Sequence, residues 1–379
     1  MTNEIVSTQF CTLDQFQVAE GTILQKPRIA YEQYGELKSD HSNVILLFHA
    51  LSGSHHAAGI NKGIEGIPLF NEELQNGWWN DFIGPEKALD TNQFCIITLN
   101  LLGSCYGSTG PASIDPATKK PYGSTFPRVT VGDQTRFAKA LLDHLKVEKL
   151  HAVIGPSVGG LCALTFANLF PHHVSKIVSI ASSYQNTILN RLLLFEQILA
   201  IENDPYFNGG DYYDSGHPNL GLALARMISH KTFVHIDAFE RRAKREIVPE
   251  KEMLSWYGVN DPFQSYMLNQ GKKFTQRFDA NAYLRITDMW SSYNALDEAG
   301  AKNASELFAP SKEAEHQFLV FSIDSDFCFY PEEQAELVAD LEKAQISVAH
   351  LTVHSDKGHD SFLLEPDLYT PQLKFHLES

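Results

Sequence analysis

The pentapeptide Gly155-Pro156-Ser157-Val158-Gly159 places a serine between two glycines, directly after an apolar run that begins at Leu150. In a nucleophile elbow, small residues let a strand and the next helix approach closely, which lifts the serine hydroxyl out of the sheet. The N–H that follows the serine then points toward a developing oxyanion. The pattern therefore predicts Ser157 as a nucleophile and the Val158 N–H as an oxyanion donor. The alternative is an ordinary glycine-rich turn.

A serine needs a base to remove its proton, and the base needs a third group that fixes its tautomer. With this elbow, the acid and then the histidine are expected on loops after later strands. One late apolar run is followed by Asp324 and Asp326, and another by His354 and His359. We favour Asp326 and His359, because a loop histidine behind Gly358 can reach across the sheet, whereas His354 lies at a strand end.

The loop after the apolar residues 44–48 is expected to supply the second oxyanion donor. The backbone N–H of Leu51 is the best candidate, since this loop should face the serine. His49, His55 and His56 lie in the same segment and resemble part of a metal site. No other residues complete such a site, so no metal is predicted.

These residues need a scaffold that brings distant loops together. The chain contains unbroken apolar runs of strand length at residues 44–48, 95–99, 152–154, 177–180, 318–321 and 348–353. Strands that are apolar on both faces are typical of a parallel sheet covered by helices. Helical stretches lie between the runs, and alternating residues 28–34 suggest an antiparallel entry. The sequence therefore predicts an α/β fold with a mostly parallel, doubly wound sheet.

Far more residues separate the fourth and fifth of these runs than a single crossover needs. Residues 184–305 show helical spacing and are predicted to form a cap above the strand ends, where open α/β sheets bind ligands. Residues 1–183 and 306–379 then form the core. An oligomerisation module or a separate lobe is the alternative for the insertion.

Composition limits the range of partners. The formal charge of −16 argues against non-specific binding to nucleic acid or anionic membranes, although a local basic pocket for a phosphorylated cofactor is still compatible with it. Five cysteines, an odd number, lie mostly in apolar runs and indicate reduced thiols. With no visible export signal or membrane-length run, a cytoplasmic location is expected.

The chain resembles the homoserine O-acetyltransferases of the α/β-hydrolase fold over nearly its whole length. Besides the elbow, the matching segments are residues 49–53, 99–111, 130–133, 200–205, 221–228, 273–283, 323–326 and 358–363. The resemblance implies Ser157, Asp326 and His359 as a catalytic triad. It also implies that Arg226 holds a substrate carboxylate and that Asp360 lies near the substrate amine, although a structural role for Asp360 is an equal alternative.

The chain departs from the family pattern at Pro156 and Val158 beside the serine, and at Phe233, where the family often has tyrosine. The resemblance implies a homodimer that moves an acetyl group from acetyl-CoA to homoserine by a ping-pong mechanism, without a permanently bound cofactor. Open alternatives are succinyl-CoA as donor, serine as acceptor, an esterase that uses the same triad with water, and a catalytically silent homologue.

Overall fold

The computed structural model describes residues 4–243, 254 and 256–379. Its central sheet has eight strands in the order β1-β4-β8-β5-β9-β10-β11-β12. The strands of the described chain are β1 (Gln9–Thr12), β2 (Gln15–Gln17), β3 (Ile23–Gln25), β4 (Arg28–Tyr34), β5 (Val44–Leu47), β6 (Ile83–Gly84), β7 (Leu89–Asp90), β8 (Cys95–Leu99), β9 (Leu150–Pro156), β10 (Val174–Ile180), β11 (Gln317–Ile323) and β12 (Ser347–Val353). Pairs β1·β4 and β4·β8 are antiparallel and the others in this sheet are parallel, which confirms the predicted fold class.

Helices cover both faces of the sheet. They are α1 (Val131–His144), α2 (Val158–Leu169), α3 (Ile188–Glu202), α4 (Asn219–Phe233), α5 (Ile236–Ala243), α6 (Pro262–Thr275), α7 (Ala280–Ser292), α8 (Ala295–Ala299), α9 (Ala304–Leu307), α10 (Ala309–Glu313), α11 (Pro331–Lys343), α12 (Ser361–Leu364) and α13 (Pro366–Glu378). None of these described helices is both long enough and apolar enough to cross a membrane.

The apolar runs form strands because each face of the sheet packs against a separate core. Along β5, Val44 and Leu46 belong to one hydrophobic cluster, whereas Ile45 and Leu47 belong to the other. Successive side chains of a strand point to opposite faces, so a strand between two cores must be apolar throughout. This burial fixes the strand register, and the register in turn fixes which loops meet at the carboxyl edge.

The long insertion between β10 and β11 folds as helices, α3 to α10. Helix α4 packs between α3 and α6, and α3 also contacts α7. The start of the insertion contacts a later part of it, because the Ala295 N–H donates to the Tyr184 carbonyl at 3.0 Å. The proposed boundaries 184–305 and the capping role stay predictions.

Candidate active site

Ser157 lies at the corner between β9 and α2 with φ 56° and ψ −127°, and its side chain is almost fully buried. Positive φ is unfavourable for a residue with a Cβ, so the surroundings must hold this conformation. Two backbone hydrogen bonds do so: Ser157 N–H donates to Ile180 O at 2.9 Å, and Gly160 N–H donates to Ser157 O at 2.8 Å. The strained corner directs the hydroxyl away from the sheet, as a nucleophile elbow requires.

The two glycines of the elbow are required by close backbone contacts. A Cβ at Gly155 would lie 1.9 Å from the Gly159 carbonyl oxygen, and one at Gly159 would lie 2.5 Å from the Phe48 carbonyl oxygen. The second contact presses the start of α2 against the end of β5. The elbow therefore lies beside the loop that follows Phe48.

The structure brings Ser157, His359 and Asp326 into one chain of hydrogen bonds. His359 Nε2 lies 2.9 Å from Ser157 Oγ, and His359 Nδ1 lies 2.7 Å from Asp326 Oδ2. The other oxygen, Asp326 Oδ1, accepts from the N–H groups of Cys328 at 2.7 Å and Phe329 at 3.0 Å. These bonds fix the carboxylate, which orients the imidazole with Nδ1 as donor and Nε2 facing the hydroxyl. The arrangement suits a base that removes the serine proton.

The alternative acid and histidine, Asp324 and His354, pair with each other instead. His354 Nδ1 lies 2.8 Å from Asp324 Oδ2, and the side chains are 82% and 42% exposed, respectively. Burial alone would raise the pKa of Asp324, but hydrogen bonds from His354 and the Ser355 N–H lower it. This surface pair is separate from the hydrogen-bonded group at Ser157.

The two predicted oxyanion donors lie on adjoining segments. Val158 is the first residue of α2, where N–H groups have no intrahelical acceptor. Leu51 lies in a turn closed by a bond from Gly53 N–H to Ala50 O at 2.9 Å, and the Leu51 N–H donates to no backbone carbonyl of the described residues. A Cβ at Gly159 would also lie 3.0 Å from the His49 carbonyl, which places this loop against the elbow. The geometry is compatible with a shared oxyanion hole.

The three histidines of that loop serve separate hydrogen bonds. His49 Nδ1 lies 2.7 Å from Ala50 O, and its Nε2 accepts from Leu101 N–H at 3.2 Å. His55 Nε2 lies 2.8 Å from Thr8 Oγ1.

His56 instead joins a buried carboxylate. Its Nδ1 lies 2.8 Å from Glu32 Oε2, and its Nε2 lies 2.9 Å from Gln75 O. Burial alone would raise the pKa of Glu32, but His56, His55 and Tyr34 together lower it. Among the residues that the structure describes, no group of three or more His, Cys, Asp or Glu side chains is arranged to hold a metal ion.

Arg226 lies on α4 with its guanidinium between two aromatic rings, 5.4 Å from the centre of Phe233 and 4.9 Å from that of Phe274. Burial and then the charge of Arg277 lower the pKa of Arg226, whereas the Asp360 carboxylate opposes that shift. Within the described ranges, no oxygen accepts a hydrogen bond from this guanidinium. A partly buried guanidinium without an acceptor is suited to an anionic ligand.

Aromatic residues to which the sequence analysis gave no role in the site surround His359. Phe233 and Phe329 stack on the His359 ring at 5.9 and 5.7 Å, and Phe362 meets its edge at 5.2 Å. Phe233 therefore contacts both the histidine and Arg226. Phe362 lies within the segment 358–363 that resembles the family, whereas Phe329 lies three residues after Asp326, a proximity that could have identified it.

Comparisons with known proteins identify the family of this chain. A model of the α/β hydrolase fold family matches residues 43–366. The homoserine O-acetyltransferase of Deferribacter desulfuricans is 39% identical over 98% of this chain and 95% of its own length. The homoserine O-succinyltransferase of Magnetococcus marinus is also 39% identical, over 94% of this chain and 89% of its own length.

Solved structures extend the similarity to the whole fold. The crystal structure of homoserine O-acetyltransferase from Bacillus anthracis superposes with a TM-score of 0.88 at 26% identity and covers 99% of this chain and 98% of that one. Esterase E22 superposes with a TM-score of 0.86, also at 26% identity, and covers 98% of this chain and 100% of that one. The chain therefore belongs to the homoserine O-acetyltransferase family of α/β-hydrolase-fold enzymes.

Proposed function

We propose that this enzyme transfers an acetyl group from acetyl-CoA to the hydroxyl of L-homoserine through an acyl-serine intermediate. The observation that carries the proposal is the hydrogen-bonded series Ser157, His359 and Asp326 near the guanidinium of Arg226, which donates a hydrogen bond to no oxygen of the described residues. A nucleophile alone supports many acyl transfers. A partly buried cation near it favours an acceptor that carries a carboxylate.

The first half-reaction acylates the enzyme. His359 Nε2 takes the Ser157 proton while Oγ bonds to the thioester carbon, and the Leu51 and Val158 N–H groups stabilise the resulting oxyanion. The C–S bond then breaks, and His359 returns the proton to the departing thiolate. Free CoA and acetyl-serine result.

The second half-reaction uses the same groups with the alcohol as nucleophile. Arg226 binds the homoserine carboxylate, and Asp360 lies near its ammonium group. His359 takes the proton of the homoserine hydroxyl as that oxygen bonds to the acyl carbon, and it returns the proton to Ser157 when the ester bond breaks. Helices α3 to α10 act as a cap that excludes water, because water would otherwise hydrolyse the intermediate.

A thiol-release assay tests the proposal. Purified enzyme is mixed with acetyl-CoA, and free thiol is followed with and without L-homoserine. We expect continuous release that depends on homoserine. Continuous release without an acceptor, or no release from any acyl-CoA, would contradict the transferase proposal.

A carboxylic-ester hydrolase is the second candidate, and the 26% identity to esterase E22 favours it. Hydrolysis of p-nitrophenyl acetate that exceeds homoserine-dependent transfer in kcat/KM would support it.

The acyl group needs a separate comparison, since the Magnetococcus relative is named as a succinyltransferase. Parallel assays with succinyl-CoA, and with L-serine in place of homoserine, decide the donor and the acceptor.

Replacing Arg226 with alanine is expected to lower kcat/KM for homoserine about 100-fold, the size of a lost charge-assisted pair of about 3 kcal/mol. The thiol burst of the first half-reaction should change little, because acetyl-CoA transfer to Ser157 does not involve the acceptor carboxylate. Stopped-flow thiol detection separates the two steps.

The matched variant Arg226→Lys keeps the charge but loses the planar fork, so intermediate homoserine kinetics are expected. Equal losses in the burst and in turnover would instead assign Arg226 a structural role. Homoserine kinetics that are unchanged in Arg226→Ala would remove it from the site.

We propose that the enzyme forms a homodimer through an apolar face of the cap. Along α3, Ile188, Leu192, Phe195 and Leu199 follow helical spacing and are 40–77% exposed. Helix α4, which packs on α3, adds exposed Leu220. Contiguous exposed apolar surface of this kind is typical of subunit interfaces, and a two-fold axis would pair this face with itself.

Phe195→Glu is expected to convert the dimer to a monomer, because it places a charge within the apolar face. Light scattering coupled to size-exclusion chromatography measures the change from the mass of two chains to that of one. Phe375→Glu alters an even more exposed ring on α13 and should leave the mass unchanged. A dimer that persists in Phe195→Glu would place the interface elsewhere.

A cytoplasmic location is part of the proposal. Cys11, Cys95, Cys105, Cys162 and Cys328 are all buried free thiols. Such thiols are typical of proteins in a reducing compartment.

A further inference from the structure

A large cavity lies beside the proposed catalytic site, and we call it the side cavity. Its volume is about 660 Å³, and its lining includes Lys26, Arg28, Ser104, Thr109, Ala112 and Leu222. Neither the triad nor Arg226 lines it. This volume is in the range of pockets that bind small-molecule ligands and cofactors, so the proposed mechanism leaves a ligand-sized space unassigned.

The side cavity opens at the same edge of the sheet as Ser157. Arg28 begins β4, which runs antiparallel to β8, so the start of β4 lies near the end of β8. Residues 104–109 belong to the loop that follows β8. On the cap side, Leu222 lies one helical turn before Arg226 on α4. The cavity and the proposed acceptor site therefore lie under neighbouring parts of the cap.

A thin wall separates the side cavity from the oxyanion loop. Tyr106 Oη donates to the Arg277 carbonyl at 2.5 Å, and Arg277 Nη1 lies 3.4 Å from the Ser52 carbonyl, next to Leu51. Phe278, which follows Arg277, lines the cavity itself. One layer of side chains thus links the cavity wall to the segment that is proposed to stabilise the oxyanion.

Two cations lie on the side cavity. Arg28 is half-buried, and within the described residues it pairs with no carboxylate. Its Nε donates to Gly107 O at 3.0 Å, and its guanidinium lies 4.3 Å from the Phe10 ring centre. Lys26 pairs with Asp14, but both side chains are exposed, so this ion pair is weak.

A carboxylate and a histidine also line the side cavity. The Asp279 carboxylate is occupied by the hydroxyls of Tyr212 and Tyr213 and by the Ala282 N–H. His217 is exposed. The charged groups that remain open to a ligand are therefore mainly cationic. In a chain of net charge −16, such a local positive site is what a phosphorylated ligand requires.

We propose that the side cavity holds the phosphate-bearing end of the acyl-CoA donor, with Arg28 and Lys26 binding its phosphates. This inference rests on the proposed acyl-CoA-dependent function. The donor then lies along the carboxyl edge of the sheet, and its thioester reaches Ser157 by displacing the layer of Tyr106 and Arg277 that separates the side cavity from the oxyanion loop. The homoserine site at Arg226 stays separate from the phosphate contacts.

The test compares two acetyl donors, acetyl-CoA and S-acetyl-N-acetylcysteamine, which has a thioester but no phosphate. For each variant, the measured quantity is the ratio of their kcat/KM values with saturating homoserine. Ala112 is exposed on the cavity lining, so a charged residue can replace it without disturbing the core. We expect Ala112→Glu to lower the ratio about fivefold by repelling phosphate, whereas Ala112→Lys maintains or raises it.

Arg28→Gln is expected to lower the same ratio about tenfold, since it removes the half-buried cation. Lys120→Gln removes an exposed cation from the neighbouring loop that does not line the cavity, so it should leave the ratio unchanged. If Arg28→Gln fails to fold, the two Ala112 variants still decide the question.

The outcomes separate this inference from the proposed function. Transfer by the wild-type enzyme from both donors, with a ratio that no charge change at residues 28 and 112 alters, would overturn the side-cavity assignment and leave the transferase intact. Absence of homoserine-dependent transfer from either donor would overturn the proposed function itself. A ratio that falls in Ala112→Lys as much as in Ala112→Glu would indicate steric blockage and would contradict phosphate binding.

Discussion

Ser157→Ala is expected to lower the rate of homoserine-dependent thiol release about 10⁵-fold or more, because no other described hydroxyl shares the hydrogen bond to His359 Nε2. The thiol burst should also vanish, since the acyl-serine cannot form. Alanine adopts the same backbone as serine, so the melting temperature should change little. Stopped-flow thiol detection and mass spectrometry of the acylated protein measure the two effects.

Ser179→Ala provides the matched control. Ser179 is a buried serine of β10, paired in register with Gly155, and its hydroxyl has no hydrogen-bond partner among the described residues. Its loss should leave both kinetic phases intact. Retention of an acetylated protein species in Ser157→Ala would mean that a different residue is the nucleophile.

The elbow could be predicted from sequence because its constraints are local. Two glycines around a serine, between an apolar strand and a helix, allow few backbone solutions, and the structure contains the close contacts that require Gly155 and Gly159. The order of elements also predicted which loops carry the acid and the histidine. Parallel strands end at one edge, so loops that are distant in sequence converge there.

The choice between neighbouring candidates was harder to predict. Asp324 and Asp326 follow the same strand two residues apart, and nothing in their spacing fixes which carboxylate turns inward. The structure shows a difference that depends on the following backbone, since the N–H groups of Cys328 and Phe329 both donate to Asp326. Such turn geometry arises from tertiary packing and has no residue-type pattern of its own.

Contacts made by the insertion could not be predicted from the sequence. The bond from Tyr106 of the core to Arg277 of the insertion, and the contact of Arg226 with Phe274 inside the insertion, join residues more than 40 positions apart. The side cavity also combines residues of β4, of the loop after β8 and of the insertion. Periodicity predicts that helices exist, but it does not specify which faces they turn toward each other.

Asp326→Asn is expected to lower kcat about 10⁴-fold while leaving the fold intact. Asp326 Oδ1 accepts two backbone N–H groups, and Oδ2 accepts from His359 Nδ1. An asparagine has one oxygen and one NH₂ group. Its oxygen must stay with the two N–H donors, because turning the NH₂ toward them would leave three donors facing one another. The NH₂ group therefore faces His359.

That orientation reverses the tautomer of the histidine. Nδ1 must accept from the amide, so the proton moves to Nε2, which then donates to the Ser157 hydroxyl and cannot take its proton.

Asp324→Asn is the matched control, two residues away and paired with the exposed His354, and it should change kcat less than about twofold. Equal losses in the two variants would show that the acid acts through loop structure. A loss of kcat confined to Asp324→Asn would instead identify Asp324 as the acid of the triad. A loss confined to Asp326→Asn, with an unchanged melting temperature, would locate the function of the acid in the single proton that it holds on Nδ1.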